Sequence, residues 1–255
     1  MNRIVKILLA TTVALVAIAG AGIWWFLRDD APAAVSLETA VESVDDTAAP
    51  AASESTGSTT SAPETAAAEG VDGTWTVDTE TGEFDYESAT GTFAGFRIQE
   101  ELASIGSATA VGRTGDVTGT ITIEGDTLVA AEFTVDVSTI TTNESRRDDN
   151  VQRALESGQF PTATFTLTEP VSLGAAATTG EAVSVSAVGD LTIHGVTNQV
   201  TFALDAQLVG DTIVVVGSTD VVFSDYDVQV PDSQIVLSVE DHGVVEMQLL
   251  LVRAA

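Results

Sequence analysis

The sequence predicts an all-β domain, an eight-stranded antiparallel β-barrel with one short helical excursion, preceded by an N-terminal transmembrane helix. Two observations predict the β domain. Apolar and polar residues alternate in short runs from Val71 to the end of the chain, which is typical of half-buried strands. Only one segment of this region, residues 143–155, argues for a helix. Closing such a sheet into a barrel removes its exposed edges, so the pattern favours a barrel over an open sheet.

The predicted strands are separated by short turns. Residues 118–123 and 128–137 alternate on either side of Glu124-Gly125-Asp126, which is the pattern of a hairpin. In the second run, the odd-numbered residues from Val129 to Val137 are predicted to share one face. Gly210-Asp211 forms another tight turn. The remaining predicted strands are 75–78, 92–98, 163–167, 182–193, 199–209, 212–223 and 244–252.

Residues 143–155 form the one stretch that predicts a helix. They are rich in charge and lack the two-residue alternation of a strand. Ser157-Gly158 marks the end of this helix, and Pro161 prevents it from continuing.

An apolar segment near the N-terminus predicts a membrane anchor. Residues 7–27 are 21 consecutive uncharged, mainly apolar residues, enough at about 1.5 Å per residue to span a bilayer core of roughly 30 Å. Arg3 and Lys6 lie in the short segment 1–6, whereas Arg28 is followed by two aspartates. The positive-inside rule therefore predicts a cytoplasmic N-terminus and an extracytoplasmic β domain on a single-pass membrane protein.

A cleaved signal peptide is the alternative interpretation of the same segment. Ala17-Ile18-Ala19 and Ala19-Gly20-Ala21 both offer small-residue cleavage patterns. Cleavage would release a secreted protein, so both interpretations predict a location outside the cytoplasm.

Residues 28–70 predict a disordered acidic linker of Ala, Ser, Thr and Pro. After Arg28 this segment carries nine acidic residues and neither a basic nor an aromatic residue. Such a composition buries too little apolar surface to offset the entropy of ordering. Residues 71–255 then form the folded domain.

Charge and composition exclude several functions. With 38 acidic and 9 basic residues, the chain carries a net charge of −29 and repels nucleic-acid phosphates. It contains no cysteine and two histidines, which excludes disulfides and cysteine zinc sites and disfavours histidine metal sites. There is no Gly-x-Ser-x-Gly motif, and Asp225 and Asp227 lack the rest of a calcium loop. We therefore expect neither an enzyme nor a metal or cofactor site.

Several segments resemble the YceI-like family. Residues 139–143, Arg147-Asp148 and residues 160–165 are similar to its helical excursion, and residues 189–202 resemble its most recognisable strand–turn–strand. With 75–78 as the opening strand, the resemblance covers residues 74–253, although segment 103–113 is longer than is usual in the family. It implies an elongated, lipocalin-like barrel that holds a polyisoprenoid or quinone-like lipid.

The apolar interior of the barrel is the predicted ligand site. Many alternating positions carry Val, Ala, Thr or Gly, and small lining residues leave an eight-stranded barrel room for a ligand. The alternative is a packed barrel that acts as an envelope scaffold or adhesion module. The candidate lining residues are Phe93, Phe96, Phe133, Phe165, Phe202 and Phe223.

Arg147 is the candidate contact for a lipid headgroup, because its planar guanidinium suits a phosphate or a carbonyl at the barrel mouth. The alternative is that the nearby arginines pair with acidic neighbours along a solvated helix. These residues are Arg146, Arg147 and Arg153, with Asp148, Asp149 and Glu156. His194 precedes Gly195 in a predicted turn, where we expect a surface or hydrogen-bonding residue rather than a catalytic base or a ligand.

Overall fold

The computed structural model describes residues 31–48, 70–102, 106–229, 236–239 and 241–254. These residues form three α-helices, two 3-10 turns and twelve strands. In chain order they are α1 Leu37–Ala48, β1 Gly73–Asp78, β2 Phe93–Leu102, β3 Gly106–Thr114, β4 Val117–Glu124, β5 Thr127–Asp136, the 3-10 turn Val137–Thr139, α2 Ser145–Ala154, β6 Thr162–Leu167, β7 Val171–Ser172, α3 Gly174–Thr179, β8 Val183–Ile193, β9 Val196–Val209, β10 Thr212–Val222, the 3-10 turn Phe223–Tyr226, β11 Val236–Val239 and β12 His242–Arg253.

Eight of the strands close into an antiparallel barrel. Their order around the barrel is β1-β4-β5-β6-β8-β9-β10-β12, and β12 pairs back with β1. Trp75 of β1 shows the closure directly, because it lies opposite Ile121 of β4 on one side and Arg253 of β12 on the other. The predicted mostly-β fold with a closed eight-stranded barrel is confirmed.

Strand β12 is longer than β1, and its upper part pairs with β2. Phe93 lies opposite Gln248, and the pairing runs to Arg97 opposite Val244. Strand β3 then forms a hairpin with β2 and reaches the next loop through a bridge between Arg113 and Thr141. The segment that looked like an insertion at 103–113 is therefore mainly strand β3, which raises the barrel wall at one end.

A β-bulge corrects one predicted strand face. Thr122 pairs with Ala130, but the next residue, Ile123, pairs with Leu128. Val129 is thus the extra residue, and the alternation changes phase there. Ala131 and Leu128 are buried in the barrel core, whereas Val129 was predicted to share that face.

The lower end of the barrel is filled by side chains. Trp75 is buried there, and its indole Nε1 donates a hydrogen bond of 2.8 Å to the carbonyl oxygen of Val71. Ala177 of α3 packs against the same apolar cluster, which also contains Ile123 and Leu251. This end of the barrel is consequently closed by packing.

The N-terminal part of the predicted linker is ordered on the outside of the barrel. Helix α1 lies on β9 and β10, where Ala40 and Val44 pack against Val214 and Leu250. The sequence prediction of disorder over 28–70 is wrong for residues 31–48. Its alanine-rich composition hides an apolar stripe at helical spacing, Leu37, Ala40, Val41 and Val44.

No helix among the described residues is long and apolar enough to cross a membrane. The predicted segments 1–6 and 7–27 lie outside the described residues, as do residues 49–69 of the predicted linker.

We expect Val214→Ala to lower the free energy of unfolding by about 2 kcal/mol, because it removes two buried methyl groups and leaves a cavity beneath α1. Val214 is 0% exposed, whereas Val222 on the same strand is 41% exposed. Val222→Ala is therefore a matched control, with an expected change within about 0.5 kcal/mol. Urea unfolding measures both variants, and equal losses would contradict the packing of α1 on Val214.

Candidate functional site

The upper half of the barrel encloses a cavity of about 540 Å³. Its lower boundary is the layer of side chains above the packed core, and α2 crosses its upper end. Five of the six predicted phenylalanines line it: Phe96, Phe133, Phe165, Phe202 and Phe223. The barrel is thus hollow, and the alternative of a solidly packed barrel is wrong.

Phe93 does not line the cavity. Residues 94, 96 and 98 of β2 face inward, so Phe93 faces the outside of the barrel. There it is buried, and the Arg113 guanidinium lies 4.5 Å from the centre of its ring. Phe93 and Phe96 are three residues apart, and an odd spacing in a regular strand places two side chains on opposite faces.

Glycines on neighbouring strands hold two of the phenylalanine rings against the barrel wall. A Cβ atom on Gly112 would lie 2.5 Å from the Phe96 ring, and one on Gly119 would lie 2.4 Å from the Phe133 ring. Each ring therefore occupies the space of a missing side chain. This arrangement leaves the centre of the barrel empty.

A layer of five side chains separates the large cavity from a second cavity of about 80 Å³ nearer the packed end. Phe165 and Phe202 meet edge to face in this layer, with ring centroids 5.2 Å apart. The layer consists of Phe133, Phe165, Phe202, Met247 and Leu249. It forms the floor of the large cavity.

Helix α2 covers the cavity with one amphipathic face. Five of the cavity-lining residues of the helix region are spaced at i, i+3, i+4, i+7 and i+8 from Arg147, as a single helix face requires. They are Arg147, Asn150, Val151, Ala154 and Leu155. Asp148 fixes the start of the helix, because its carboxylate accepts a hydrogen bond of 2.7 Å from the backbone N–H of Thr142.

The charged residues of α2 do not pair along the helix as the alternative interpretation predicted. Arg147 forms an ion pair with Glu100 of β2, with 3.2 Å between Nη2 and Oε2. Arg153 donates a hydrogen bond to Asn150. Arg146 lines the cavity and makes no ion pair among the described residues. The polar rim therefore contains one arginine held by a carboxylate and one without such a partner.

A buried charge cluster lies on the outer face of β2, β3 and β12. The Glu246 side chain is 2% exposed and accepts from Arg113 Nη2 at 2.8 Å and from Arg97 Nε at 3.3 Å. Buried charges require such pairing, and removing one partner leaves the others uncompensated. No local sequence pattern indicates this cluster, because Glu246 lies 149 residues from Arg97 and 133 residues from Arg113.

Tyr226 and His194 lie together beside the cavity. The His194 ring Nδ1 is 3.2 Å from the Tyr226 carbonyl oxygen, which confirms a hydrogen-bonding role for this turn residue. The Tyr226 phenol oxygen is buried without a hydrogen-bond partner among the described residues. Burial raises the pKa of Tyr226 above its ordinary value of 10.0, while nearby Asn198 lowers it and Asp225 raises it.

No group of three or more His, Cys, Asp or Glu side chains among the described residues is placed to hold a metal ion. The described residues define a hollow antiparallel barrel with an apolar cavity, a closed lower end and a polar rim.

The model of the YceI-like domain matches residues 75–251, and the chain belongs to this family. The resemblance found in the sequence is confirmed.

Solved structures share the fold at low sequence identity. BcnA of Burkholderia cenocepacia aligns over 68% of this chain and 98% of its own, with a TM-score of 0.50 and 18% identity. A polyisoprenoid-binding domain from Saccharophagus degradans, implicated in plant cell wall breakdown, aligns over 71% of this chain and 98% of its own. Its TM-score is 0.51 and its identity 17%.

Two UPF0312 proteins of Vibrio vulnificus, from strains YJ016 and CMCP6, are similar to part of the chain. Each is 29% identical to it over 117 residues. The matched region is 44% of this chain and 57% of each relative, so the chain spans a little over half of their length.

We expect Tyr226→Phe to leave the free energy of unfolding unchanged or slightly raised near pH 7, because a buried hydroxyl without a partner contributes no net hydrogen bond. Tyr86→Phe is the control: the Tyr86 hydroxyl donates to the Val111 carbonyl oxygen at 3.2 Å, so its loss should cost about 1 kcal/mol.

The raised pKa of Tyr226 also predicts a pH dependence. Above the ordinary pKa of 10.0, the unfolded chain loses this proton before the folded one does. The free energy of unfolding therefore falls as the pH rises through this range. Urea unfolding at increasing pH should show a smaller alkaline loss in Tyr226→Phe than in the parent, and equal losses would contradict the shift.

Proposed function

We propose that this protein binds a long apolar lipid with an isoprenoid or quinone-like tail inside its barrel, and that an N-terminal anchor holds it on the extracytoplasmic side of a membrane. The observation that carries the proposal is the cavity of about 540 Å³, which has an apolar wall, a closed floor and a polar rim. A chain-like lipid with a small head matches this shape.

The cavity wall favours an apolar chain. Its size lies within the range of about 300–1,000 Å³ found for small-molecule sites, whose walls are mainly apolar. Each methylene moved from water into such a wall contributes about 0.8 kcal/mol. The Phe165–Phe202 floor sets how far the tail extends toward the packed end of the barrel.

The polar rim favours an uncharged or weakly charged headgroup. Glu100, Glu144, Arg146 and Arg147 line the upper cavity, and their formal charges sum to zero. The whole chain carries −29, which disfavours strongly anionic ligands. Arg146 and Arg147 supply guanidinium donors for a carbonyl or hydroxyl oxygen, although Arg147 is already engaged by Glu100.

The family fold supports the same ligand class. The Saccharophagus degradans structure is a polyisoprenoid-binding domain on the same barrel fold. The apolar segment 7–27 supports anchoring, since a membrane is the source of such a lipid and a tethered barrel stays beside it. Cleavage within this segment would instead give a secreted carrier. The carrier proposed here needs neither a catalytic group nor a cofactor.

We expect Ala163→Phe to lower lipid binding at least tenfold, because Ala163 lines the cavity and a phenyl ring there occupies the space of the tail. Ala130→Phe is the matched control, since Ala130 is exposed on the adjacent strand. Each protein is purified from its native host, extracted with organic solvent and examined by mass spectrometry. A parent protein without a stoichiometric lipid, and without stabilisation by added polyprenols or quinones, would disprove the proposal.

We expect Arg146→Gln to weaken binding of a long-chain quinone several-fold, because it removes a charge-assisted hydrogen bond of about 1 kcal/mol at the partly exposed rim. Arg153→Gln on the same helix is the control, because Arg153 does not line the cavity. Quenching of the Trp75 fluorescence, or a competition assay, measures the affinity of each variant for the quinone. Equal affinities of the two variants would contradict a contact between Arg146 and the headgroup.

A further inference from the structure

The first described residues of the chain are held by the buried charge cluster. Arg97 Nη2 donates to the Pro32 carbonyl oxygen at 2.8 Å, and Arg113 Nη2 donates to the Ala33 carbonyl oxygen at 2.8 Å. Both arginines are oriented by Glu246. Each arginine therefore directs its Nη2 group outward in a fixed geometry, toward the backbone carbonyl oxygens of residues 32–33.

Helix α1 continues the same contact along the barrel. Ala40 is 0% exposed and Val44 is 7% exposed, although both lie in a helix on the outside of the domain. They cover Val214, Val216 and Leu250, which are outward-facing residues of β10 and β12. Residues 31–44 thus attach through an apolar surface and a charged one, two independent interactions.

The attachment lies on the wall of the cavity. Arg97 is flanked on β2 by Phe96 and Ile98, which line the cavity on the opposite face of the strand. Glu100, which pairs with Arg147 at the rim, is three residues further along the same strand, or about 10 Å. The chain therefore approaches the barrel beside its upper opening.

We propose that residues 31–48 are an intramolecular clamp that holds the upper opening of the barrel next to the bilayer. The inference rests on the proposed membrane anchor, and it changes what the anchor does. A free linker over residues 28–70 would allow a root-mean-square separation of roughly 35 Å. With the clamp in place, only the residues between Leu27 and Pro32 separate the anchor from the barrel, at most about 18 Å.

The clamp predicts that the position of an insertion decides whether the barrel can move away from the membrane. A flexible Gly/Ser segment of about 40 residues is inserted either between Asp30 and Ala31 or between Gly57 and Ser58 of the full chain. The second insertion lies between two parts of the chain that are both held on the barrel, so it adds no reach. The first adds its whole length to the connection with the anchor.

The readout is the distance from the barrel to the bilayer in liposomes. Because the chain has no cysteine, Asp149→Cys gives a single labelling site on exposed α2, outside the cavity lining. Energy transfer from this label to acceptor lipids is expected to stay at the parent value after the Gly57–Ser58 insertion and to fall at least twofold after the Asp30–Ala31 insertion. An equal loss of energy transfer in both insertion variants would overturn the clamp.

A second variant tests the docking surface itself. Val44→Asp places a charge against Val214 and Leu250, and it is expected to make the Gly57–Ser58 insertion lower the energy transfer as well. Thr39→Asp, on the exposed side of the same helix, is the matched control and should leave the transfer unchanged. An unchanged transfer in Val44→Asp with the Gly57–Ser58 insertion would overturn the role of helix α1 in the clamp.

The test of the clamp can be distinguished from the test of lipid binding. Alkaline carbonate extraction of the full chain tests the anchor, and a chain that is released from the membrane overturns both the anchor and the clamp. A barrel that yields no lipid but still shows the position-dependent distances would retain the clamp and disprove only the ligand.

Discussion

Strand β12 is the element on which the rest of the structure depends. One of its edges pairs with β10 along its whole length, and the other edge is shared by β1 below and β2 above. The pairing with β1 closes the barrel, and the pairing with β2 raises the wall that surrounds the cavity. Its inward side chains, Met247 and Leu249, contribute to the cavity floor, while outward Glu246 holds two arginines. The closure of the barrel, the floor of the cavity and the external charge cluster thus all depend on strand β12.

Much of the barrel was predictable because alternation reports directly on which face of a strand is buried. The prediction fails where the alternation is locally broken, and where residue type and strand position disagree. The bulge at Val129 moves Leu128 to the inner face, and a period of two cannot show an inserted residue in advance. Phe93 has the residue type of a cavity residue, but its odd spacing from Phe96 places the two side chains on opposite faces of β2. Helix α1 was missed because a low-complexity composition suggested disorder, whereas its stripe gains stability only when the barrel supplies a partner surface.

The candidate site divides in the same way. The phenylalanines that line the cavity were predictable, since they occupy inward positions of predicted strands. The rim and the charge cluster were not, because Arg147 pairs with Glu100 and Arg113 pairs with Glu246 across long stretches of sequence. A local charge pattern favoured pairs within α2, but the helix directs Arg147 toward β2. Only the closed barrel brings these residues together.

The contact between glycines and phenylalanine rings on the cavity wall has a consequence for how such barrels diversify. A methyl group added at Gly112 would meet the Phe96 ring and the Ile140 side chain, which are side chains rather than backbone. The ring would then turn toward the centre and narrow the space available to a ligand. Replacing the ring by a smaller side chain would widen it. Single substitutions at such glycine–phenylalanine pairs change the internal width of the barrel without altering its strand number, the polarity of its wall or its closure. One barrel fold can therefore adapt to ligands of different thickness.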